Sequence, residues 1–432
     1  MSGNEINVQN NSNNANNTII ANKTNKIRRI GVLTSGGDAP GMNAAVRAVT
    51  RSAISNGIRV IGILKGYRGL IDGELVEYNA RAVSNIIDRG GTVLYSDRCD
   101  EFKTEAGMKK AYDTCREFEI DGIVAIGGDG TFRGATDLSR LGIPTIGIPA
   151  TIDNDITATD YSIGFDTAMN TVVEMVDRVR DTCESHARCN IVEVMGRHAG
   201  HIGLQCGIAA GAAAIAVGEI PFDIDECVKK IIEGRLSKKR NFIIIVSEGM
   251  NYVEDNYAEK LLKRIPKKII KYISRLDDDS MKQILKVEFL GRLDDETAKE
   301  MLTPEYIDNL DEEKAGKALK EKFDIRFARL AHVQRGGSPT LRDRCAATIM
   351  GDRAVRLILE GKKNLIVCMQ DDKIVDVDIE YALNLDKRYK GNMSDADFAK
   401  LSGSDQTSIT EYIKRKKENF KNLYEIAKRM CN

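Results

Sequence analysis

The chain lacks an excess of either charge. Lysine and arginine together number 64, aspartate and glutamate 64, so the formal net charge over 432 residues is zero. Bulk attraction to nucleic acid or to an anionic membrane is excluded as an organising force, and any basic feature must be local. A run of eighteen apolar residues is also missing, as is an apolar signal core at the N-terminus. The expectation is a soluble, cytoplasmic chain with neither nucleic acid nor a membrane as partner. The nine cysteines include no CxxC pair and no histidine at zinc-ligand spacing; Cys183 and Cys189 are a weak signal at most. They read as free thiols of a reducing compartment. Residues 1–27 are poor in large apolar side chains and rich in Asn, Ser and Thr. They read as a disordered tail, and the glycosylation-type triplets at Asn10, Asn16 and Asn22 as products of that composition.

A Walker A motif is absent too, yet the sequence has the other parts of a phosphate site. The most informative stretch runs Pro149-Ala150-Thr151-Ile152-Asp153-Asn154-Asp155. It follows an apolar run, Ile143 to Ile148, that reads as a buried strand. Two carboxylates, Asp153 and Asp155, therefore fall just past a strand end, where α/β enzymes place their chemistry. One is able to take a proton while the other meets a metal or a phosphate donor. Upstream, Gly127-Gly128-Asp129-Gly130-Thr131 follows the strand Gly122 to Ile126. Its glycines let a phosphate approach the backbone, and Asp129 is a candidate Mg²⁺ ligand. Earlier still, Arg28 to Leu33 reads as a strand, Ser35 to Gly41 as a glycine loop offering the Gly36 and Gly37 amides, and Met42 to Asn56 as a helix. Two further strand ends carry cations: Met195-Gly196-Arg197-His198, with Arg188 before its strand, and His332-Val-Gln-Arg335-Gly-Gly-Ser-Pro. If all these ends converge on one crevice, it is basic with Asp129 and Asp153 at its centre, as phosphoryl transfer to a hydroxyl requires.

Alternation of strands and helices argues for an α/β fold with doubly wound parallel sheets. Arg59 to Leu64, Thr92 to Tyr95 and Thr145 to Ile148 add strands to a first series. Asn190 to Met195, Ala213 to Val217, Phe242 to Val246 and Phe327 to His332 make a second. Between them, residues about 251–325 read as a mostly helical insertion with an amphipathic piece around Leu261, Leu262, Ile265, Ile269 and Ile273 interrupted by Pro266. Ser408 to Glu411 reads as a capping box opening a terminal helix whose apolar positions are Ile413, Phe420, Leu423, Tyr424 and Ala427. Its Lys-rich side reads as a solvated face.

In combination these motifs resemble one family, the bacterial-type 6-phosphofructokinases, from about Arg29 to Arg388. The segments that carry the resemblance are GVLTSGGDAPGMNAA from Gly31, GGDGT from Gly127, PATIDND from Pro149, VMGR ending at Arg197, and HVQRGGSP from His332. The resemblance implies two Rossmann-like domains with the active site between them. Residues 28–164 plus about 334–385 would bind ATP, 165–333 would bind fructose 6-phosphate, and 386–432 would form a C-terminal helical extension. It implies transfer of the γ-phosphate of ATP to the 1-hydroxyl of fructose 6-phosphate. Asp153 matches the general base, Asp129 the Mg²⁺ carboxylate and Gly37 a backbone donor to the γ-phosphate. Thr151 and Asp155 flank the base. Arg98 matches an arginine bridging donor and acceptor phosphates; Cys99, Gly128, Gly130, Thr131 and Gly134 fall in the nucleotide site. Met195, Gly196, Arg197 and Glu248 match sugar contacts, and His332 and Arg335 contacts to the 6-phosphate. Arg188 and Arg326 match arginines supplied by a neighbouring subunit of a homotetramer.

The family divides between ATP and pyrophosphate as donor. Pyrophosphate enzymes carry Asp where this chain has Gly130 and Lys where it has Ala150. A carboxylate at Gly130 would repel an α-phosphate, and a lysine would anchor free pyrophosphate, so ATP is the expected donor. Ala150, Cys99 and Lys103 depart from the pattern of ATP enzymes. Pyrophosphate dependence and a catalytically dead sugar-phosphate-binding subunit are the alternatives; the dead subunit would be expected to have lost Asp153, Asp129 or the arginines. Arg47, Arg51, Arg180 and Lys239 match cations of the family's effector site. Ala80, Asn85, Ala213 and Ser237 depart from it, so weakened control by ADP is expected.

Overall fold

Residues 27–276 and 324–431 are described by a computed structural model. The chain builds most of one sheet, crosses to a second, and returns to finish the first. Strands β1 (Arg29–Ser35), β2 (Arg59–Ile63), β3 (Leu75–Tyr78), β4 (Gly122–Gly127) and β5 (Thr145–Pro149) come first. Strands β6 (Cys189–Val194), β7 (Ala214–Ala216), β8 (Phe242–Ser247) and β9 (Ile325–Arg329) form the second sheet, and β10 (Leu365–Gln370) and β11 (Lys373–Asp378) rejoin the first. The seven-stranded sheet has the order β11-β10-β5-β4-β1-β2-β3 and the four-stranded sheet β7-β8-β6-β9. Every pairing is parallel except β2 with β3 and β10 with β11. The α/β class with parallel sheets is the one the sequence points to.

The central strands explain themselves. The β4 sequence GIVAIG and the β8 sequence FIIIVS are buried at every position, the continuous apolar reading of a sheet covered on both faces. In the first sheet, β1 lies between β2 and β4, so the order reverses there. Such a reversal opens a crevice beyond the strand C-termini. The loops after β1 and β4 leave at that point, and β5 stands next to β4.

The helices among the described residues begin with α1 (Met42–Ser55), α2 (Tyr67–Asp72), α3 (Glu105–Glu117) and α4 (Asp129–Arg140). They continue with α5 (Phe165–His186), α6 (His201–Ala209), α7 (Ile224–Leu236) and α8 (Tyr257–Ile273). The last four are α9 (Leu341–Leu359), α10 (Ile379–Tyr389), α11 (Asp395–Phe398) and α12 (Gly403–Met430). Side chains cap several of them: Thr104, Asp223, Thr340, Asp378 and Ser402 each accept from a first-turn N–H. Helices α1 and α9 pack so closely that a Cβ on Gly351 would stand 2.6 Å from the Cβ of Ala48; only glycine fits there.

Four expectations are corrected. Thr92 to Tyr95 is not a strand: Leu94 is buried, Tyr95 has φ 60°, and Thr92 bonds its hydroxyl to that of Thr34 at 2.8 Å. The segment is a loop pinned by one apolar plug, which mimics a strand in a short window. Pro266 does not interrupt its helix. It lies inside α8, where Leu261, Ile265, Ile269, Ile270 and Ile273 are buried against the second sheet. Burial of that face outweighs the hydrogen bond that proline removes. The rest of the insertion, residues 277–323, lies outside the described residues, as does the tail before residue 27. The terminal helix starts before the expected box, with Ser402 as cap, and Ser408 instead meets the Tyr381 hydroxyl at 2.7 Å. The second-series strand ending at His332 stops at Arg329, and Ala331–Arg335 is a 3-10 turn.

One buried carboxylate joins the returning segment to the crossover. Asp343, at the start of α9, has no exposed surface. It accepts from the Tyr161 hydroxyl (2.5 Å), the Gly164 N–H (2.6 Å), the Thr167 N–H (2.9 Å) and the Thr167 hydroxyl (2.5 Å). Asp343→Ala leaves those donors without their acceptor, and unmet buried donors each cost about 1–3 kcal/mol. The variant should lose ~3 kcal/mol or more of stability, read as a lower urea midpoint at unchanged slope.

Candidate active site

Three loops leave the first sheet side by side. After β1, Gly36 takes φ 87° and Gly41 φ 101°, which turns the chain back into α1. The Ser96 hydroxyl donates to the Gly36 carbonyl, fixing the 92–100 segment against this loop. After β4, Gly128 caps α4, which begins at Asp129. The Thr131 hydroxyl donates to the Ser35 carbonyl at 3.0 Å, joining the second loop to the first. After β5, Asn154 adopts φ 49°, a left-handed conformation that asparagine tolerates. Its side chain accepts from the Ser162 N–H (2.9 Å) and donates to the Asp160 carbonyl (3.1 Å). The Asp153 N–H donates to the Thr151 hydroxyl at 3.3 Å.

The second sheet contributes from the opposite side. Glu248, following β8, accepts from the N–H groups of Gly196 and Arg197 just past β6. Gly196 has φ 142°, and a Cβ there would lie 2.4 Å from the Ala199 carbonyl. Arg197 itself has φ 54°, a conformation held by the Glu248 contact. Met195 donates its N–H to the buried Gln334 side chain at 3.2 Å. That bond places the 331–335 turn beside the β6 loop.

Charges gather around Asp153. It is 3 % exposed, and its Oδ1 is buried without a hydrogen-bond partner among the described residues. Burial, then the neighbouring charge of Asp155, push its proton affinity up to about 6; Glu248 adds to the rise while Arg335 and Arg197 oppose it. Arg335 donates to the Asp38 carbonyl at 3.3 Å, and a Cβ on Gly37 would stand 2.8 Å from its Nη1. Arg197 reaches toward Asp129 (3.9 Å), which also pairs with Arg133 at 2.8 Å. Gly37, Asp129, Asp153, Asp155, Arg197, Glu248 and Arg335 thus form one constellation.

Other expected residues lie at its edge or away from it. His332 is exposed on the 3-10 turn, and Arg98 is exposed two residues beyond the Ser96 contact, its N–H on the Asp97 carboxylate at 2.7 Å. Cys99 is half-buried beside the first-sheet core. The buried Thr131 has its hydroxyl engaged, and Gly134 lies against the Tyr67 ring, whose hydroxyl donates to the Thr131 carbonyl at 2.5 Å. Arg188 and Arg326 stand at the other end of the second sheet. Both pair with Asp324, at 2.7 and 2.8 Å. Of the effector cations, Arg47 and Arg51 share α1, and burial followed by Arg51 lowers the proton affinity of Arg47. Arg180 bonds the Ala210 carbonyl, and Lys239, lowered by burial and then by Arg180, lies over the Phe242 ring at 5.4 Å.

Asp129 offers a hard carboxylate oxygen at a helix N-terminus, with a quarter of its side chain exposed. No cluster of three or more metal-ligating side chains occurs among the described residues. A single part-exposed carboxylate beside glycine loops that admit phosphate is a donor set for a divalent cation shared with substrate phosphates. All nine cysteines are free.

Sequence reading missed Asp386, Lys390 and Lys416. Lys390 pairs with Asp155 at 3.2 Å and with Asp386 at 2.9 Å. Asp386 accepts from the Thr157 hydroxyl at 2.7 Å, and Lys416 pairs with Asp160 at 2.5 Å. Lys416 is thus turned inward on the Lys-rich side of α12, where Lys414, Lys417 and Lys421 are exposed and Lys428 pairs with Glu226 at 2.6 Å. No local pattern separates Lys390 or Lys416 from the lysines around them.

Glycine loops, an acidic helix start, a desolvated carboxylate and two arginines at one sheet crevice define a phosphoryl-transfer enzyme with a doubly wound fold. A profile of the phosphofructokinase family matches residues 29–358. The chain is 45 % identical over 363 residues to an ATP-dependent 6-phosphofructokinase of Clostridium tetani, covering 84 % of this chain and 96 % of that one. It is 44 % identical over 357 residues to that of Clostridioides difficile, covering 83 % and 94 %. Among solved structures, phosphofructokinase from Saccharomyces cerevisiae superposes with a TM-score of 0.67 at 29 % identity, over 93 % of this chain and 50 % of that one. A pyrophosphate-dependent phosphofructokinase from Marinobacter aquaeolei shares the fold, with a TM-score of 0.60 at 20 % identity over 90 % of this chain and 92 % of that one. The chain belongs to the phosphofructokinase family.

The buried carboxylate carries a testable energy. Ionised Asp153 destabilises the fold: the penalty sets in as pH rises past about 4, the ordinary carboxylate value, and is complete above about 6, where the folded-state group has lost its proton. Asp153→Asn should therefore gain on the order of 3 kcal/mol at pH 8 and nothing below about pH 4. Urea midpoints measured across that range check it.

Proposed function

We propose that the chain transfers the γ-phosphate of ATP to the 1-hydroxyl of fructose 6-phosphate, giving fructose 1,6-bisphosphate and ADP in the cytoplasm. The observation that carries this reading is Asp153: a buried carboxylate with one oxygen unpartnered among the described residues, beside Arg335, Arg197 and the glycine loop at Gly37. A general base works best with a proton affinity close to the working pH. Asp153 takes the hydroxyl proton as the oxygen attacks the γ-phosphorus, and the bond to the β-phosphate oxygen breaks. The amides at Gly37 and the guanidinium of Arg197 meet the charge that spreads over the transferring group. Thr151 and Asp155 hold the flanks of the base.

The β1–β5 and β10–β11 layer with Gly128, Gly130, Thr131 and Gly134 receives ATP, with Arg98 and Cys99 at its margin. The β6–β9 layer receives the sugar through Met195, Gly196, Arg197 and Glu248, and His332 and Arg335 take its 6-phosphate. Asp129 holds Mg²⁺, which screens the donor phosphates when bound. Arg188 and Arg326 serve a second subunit of a homotetramer.

An assay with fructose 6-phosphate and either ATP or pyrophosphate tests the reading. Turnover with ATP and none with pyrophosphate is expected; the reverse sinks the donor assignment. In the same assay Asp153→Asn should lower kcat by ~10²–10⁴-fold, and retained turnover would remove Asp153 as the base.

Gly130 gives a separate check. A Cβ there meets nothing within 4 Å, so its bareness is not a packing need. Aspartate near a helix start is well tolerated. Gly130→Asp should keep its melting temperature while kcat/KM for ATP falls about tenfold or more, the loss expected when an added charge raises the barrier by ~1.4 kcal/mol.

A further inference from the structure

The loop that carries Asp153 is braced from outside by the end of the chain. Lys390, one residue past α10, lies between Asp155 at 3.2 Å and Asp386 at 2.9 Å. Their side chains are only 20 %, 7 % and 9 % exposed. Asp386 in turn accepts from both the N–H (3.3 Å) and the hydroxyl (2.7 Å) of Thr157. From α12, Lys416 donates to the Thr159 carbonyl at 3.1 Å and pairs with Asp160. Asp155, Thr157, Thr159 and Asp160 are therefore all held by the C-terminal segment.

The charges matter as much as the tether. Asp155 stands two residues from Asp153, and its charge is one of the forces raising that group's proton affinity. Lys390 is the cation on Asp155. Burial works against the ammonium, but Asp155 and Asp386 together raise its affinity for the proton, so it stays charged. The groups facing Asp153 are Asp155, Glu248, Arg335 and Arg197. On the far side, a cavity of about 590 Å³ adds Glu219, His198, His201, Lys416 and Asp160 beside Lys390 and Asp155.

We propose that Lys390 is a positioning residue for phosphoryl transfer. It holds the 153–160 loop through Asp155 and Asp386, and its charge offsets that of Asp155 so that Asp153 remains available as the base. The proposal rests on the reading of Asp153 given above.

Removing a nearby cation leaves the charge of Asp155 less offset around Asp153, and a carboxylate with less positive charge about it binds its proton at higher pH. Lys390→Met should move the acid limb of kcat/KM for fructose 6-phosphate upward by about half a pH unit or more. The KM for ATP should stay within about twofold, since no nucleotide contact changes. Lys390→Arg should return the limb toward its wild-type position. If Lys390→Met does not fold, Lys390→Gln keeps hydrogen-bonding groups but drops the charge, and the same shift is expected. A limb that does not move, with only a lower melting temperature, overturns the proposal. Wild-type enzyme run alongside separates the two claims. No phosphoryl transfer by the wild type overturns the functional reading and this assignment with it; an active wild type with an unmoved limb overturns the Lys390 assignment alone.

Discussion

A single carboxylate held almost out of water sets the terms for its surroundings. Asp153 has an oxygen with no partner among the described residues, a like charge two residues away, and arginines that only partly offset both. Left to itself such a group would turn toward solvent or keep its proton. It stays because the backbone leaves no alternative: Asn154 turns left-handed beside it, and its side chain ties the loop to Asp160 and Ser162. The energy that ionisation takes from stability is the energy that makes the group basic. The same burial serves both, so in the role proposed above a more comfortable Asp153 would be a poorer base.

Holding that loop requires parts of the chain far from it. Asp343 anchors Tyr161, Gly164 and Thr167 from a helix nearly two hundred residues later and fixes where the loop ends. The C-terminal helices reach its middle. Helix α12 spans about 42 Å, and its buried residues belong to two cores: Ile409 to the cluster with β10 and α10, Phe420 and Ala427 to the cluster that includes α6. The Tyr424 hydroxyl also reaches the Ile215 carbonyl on β7 at 3.1 Å. This helix packs on parts of both sheets. A strap with one grip on each layer, and Lys416 on the loop between, ties the packing of the chain's end to the geometry of the acid.

Where sequence and structure agree, the information is local. The glycine loops, the helix start at Asp129 and the strand before Asp153 each occupy one short window, and the position past a strand end follows from the window itself. Convergence on one crevice then needs only a parallel sheet with a reversal. The misreadings share a different origin. Leu94 plugs a core without a strand, and a window around it cannot tell a plug from a pleat. Pro266 sits in a helix because five apolar side chains bury on one face, an energy that lies in the contact with the second sheet. Ser408 has the spelling of a cap, but the helix had already begun at Gly403. Lys390 and Lys416 are spelled like any solvated lysine, and only the fold shows which two are turned inward.

Strand direction constrains the remaining arginines. The crevice lies beyond the C-terminal ends of β6 and β8, where Arg197 and Glu248 meet. Arg188 precedes β6, and Arg326 is paired with Asn190 in the first residues of β9 and β6. A six-residue strand is about 20 Å long, so neither side chain reaches Asp153 within one chain. Asp324 pairs with both of them, its carboxylate shared between two guanidinium groups. Among the described residues, this cluster sets one carboxylate against two arginines. An anion arriving there from a second copy, such as a sugar phosphate held in that copy's crevice, would complete the neutralisation that Asp324 begins. In the tetramer proposed above, the β6–β9 end of one subunit would then face the crevice of another.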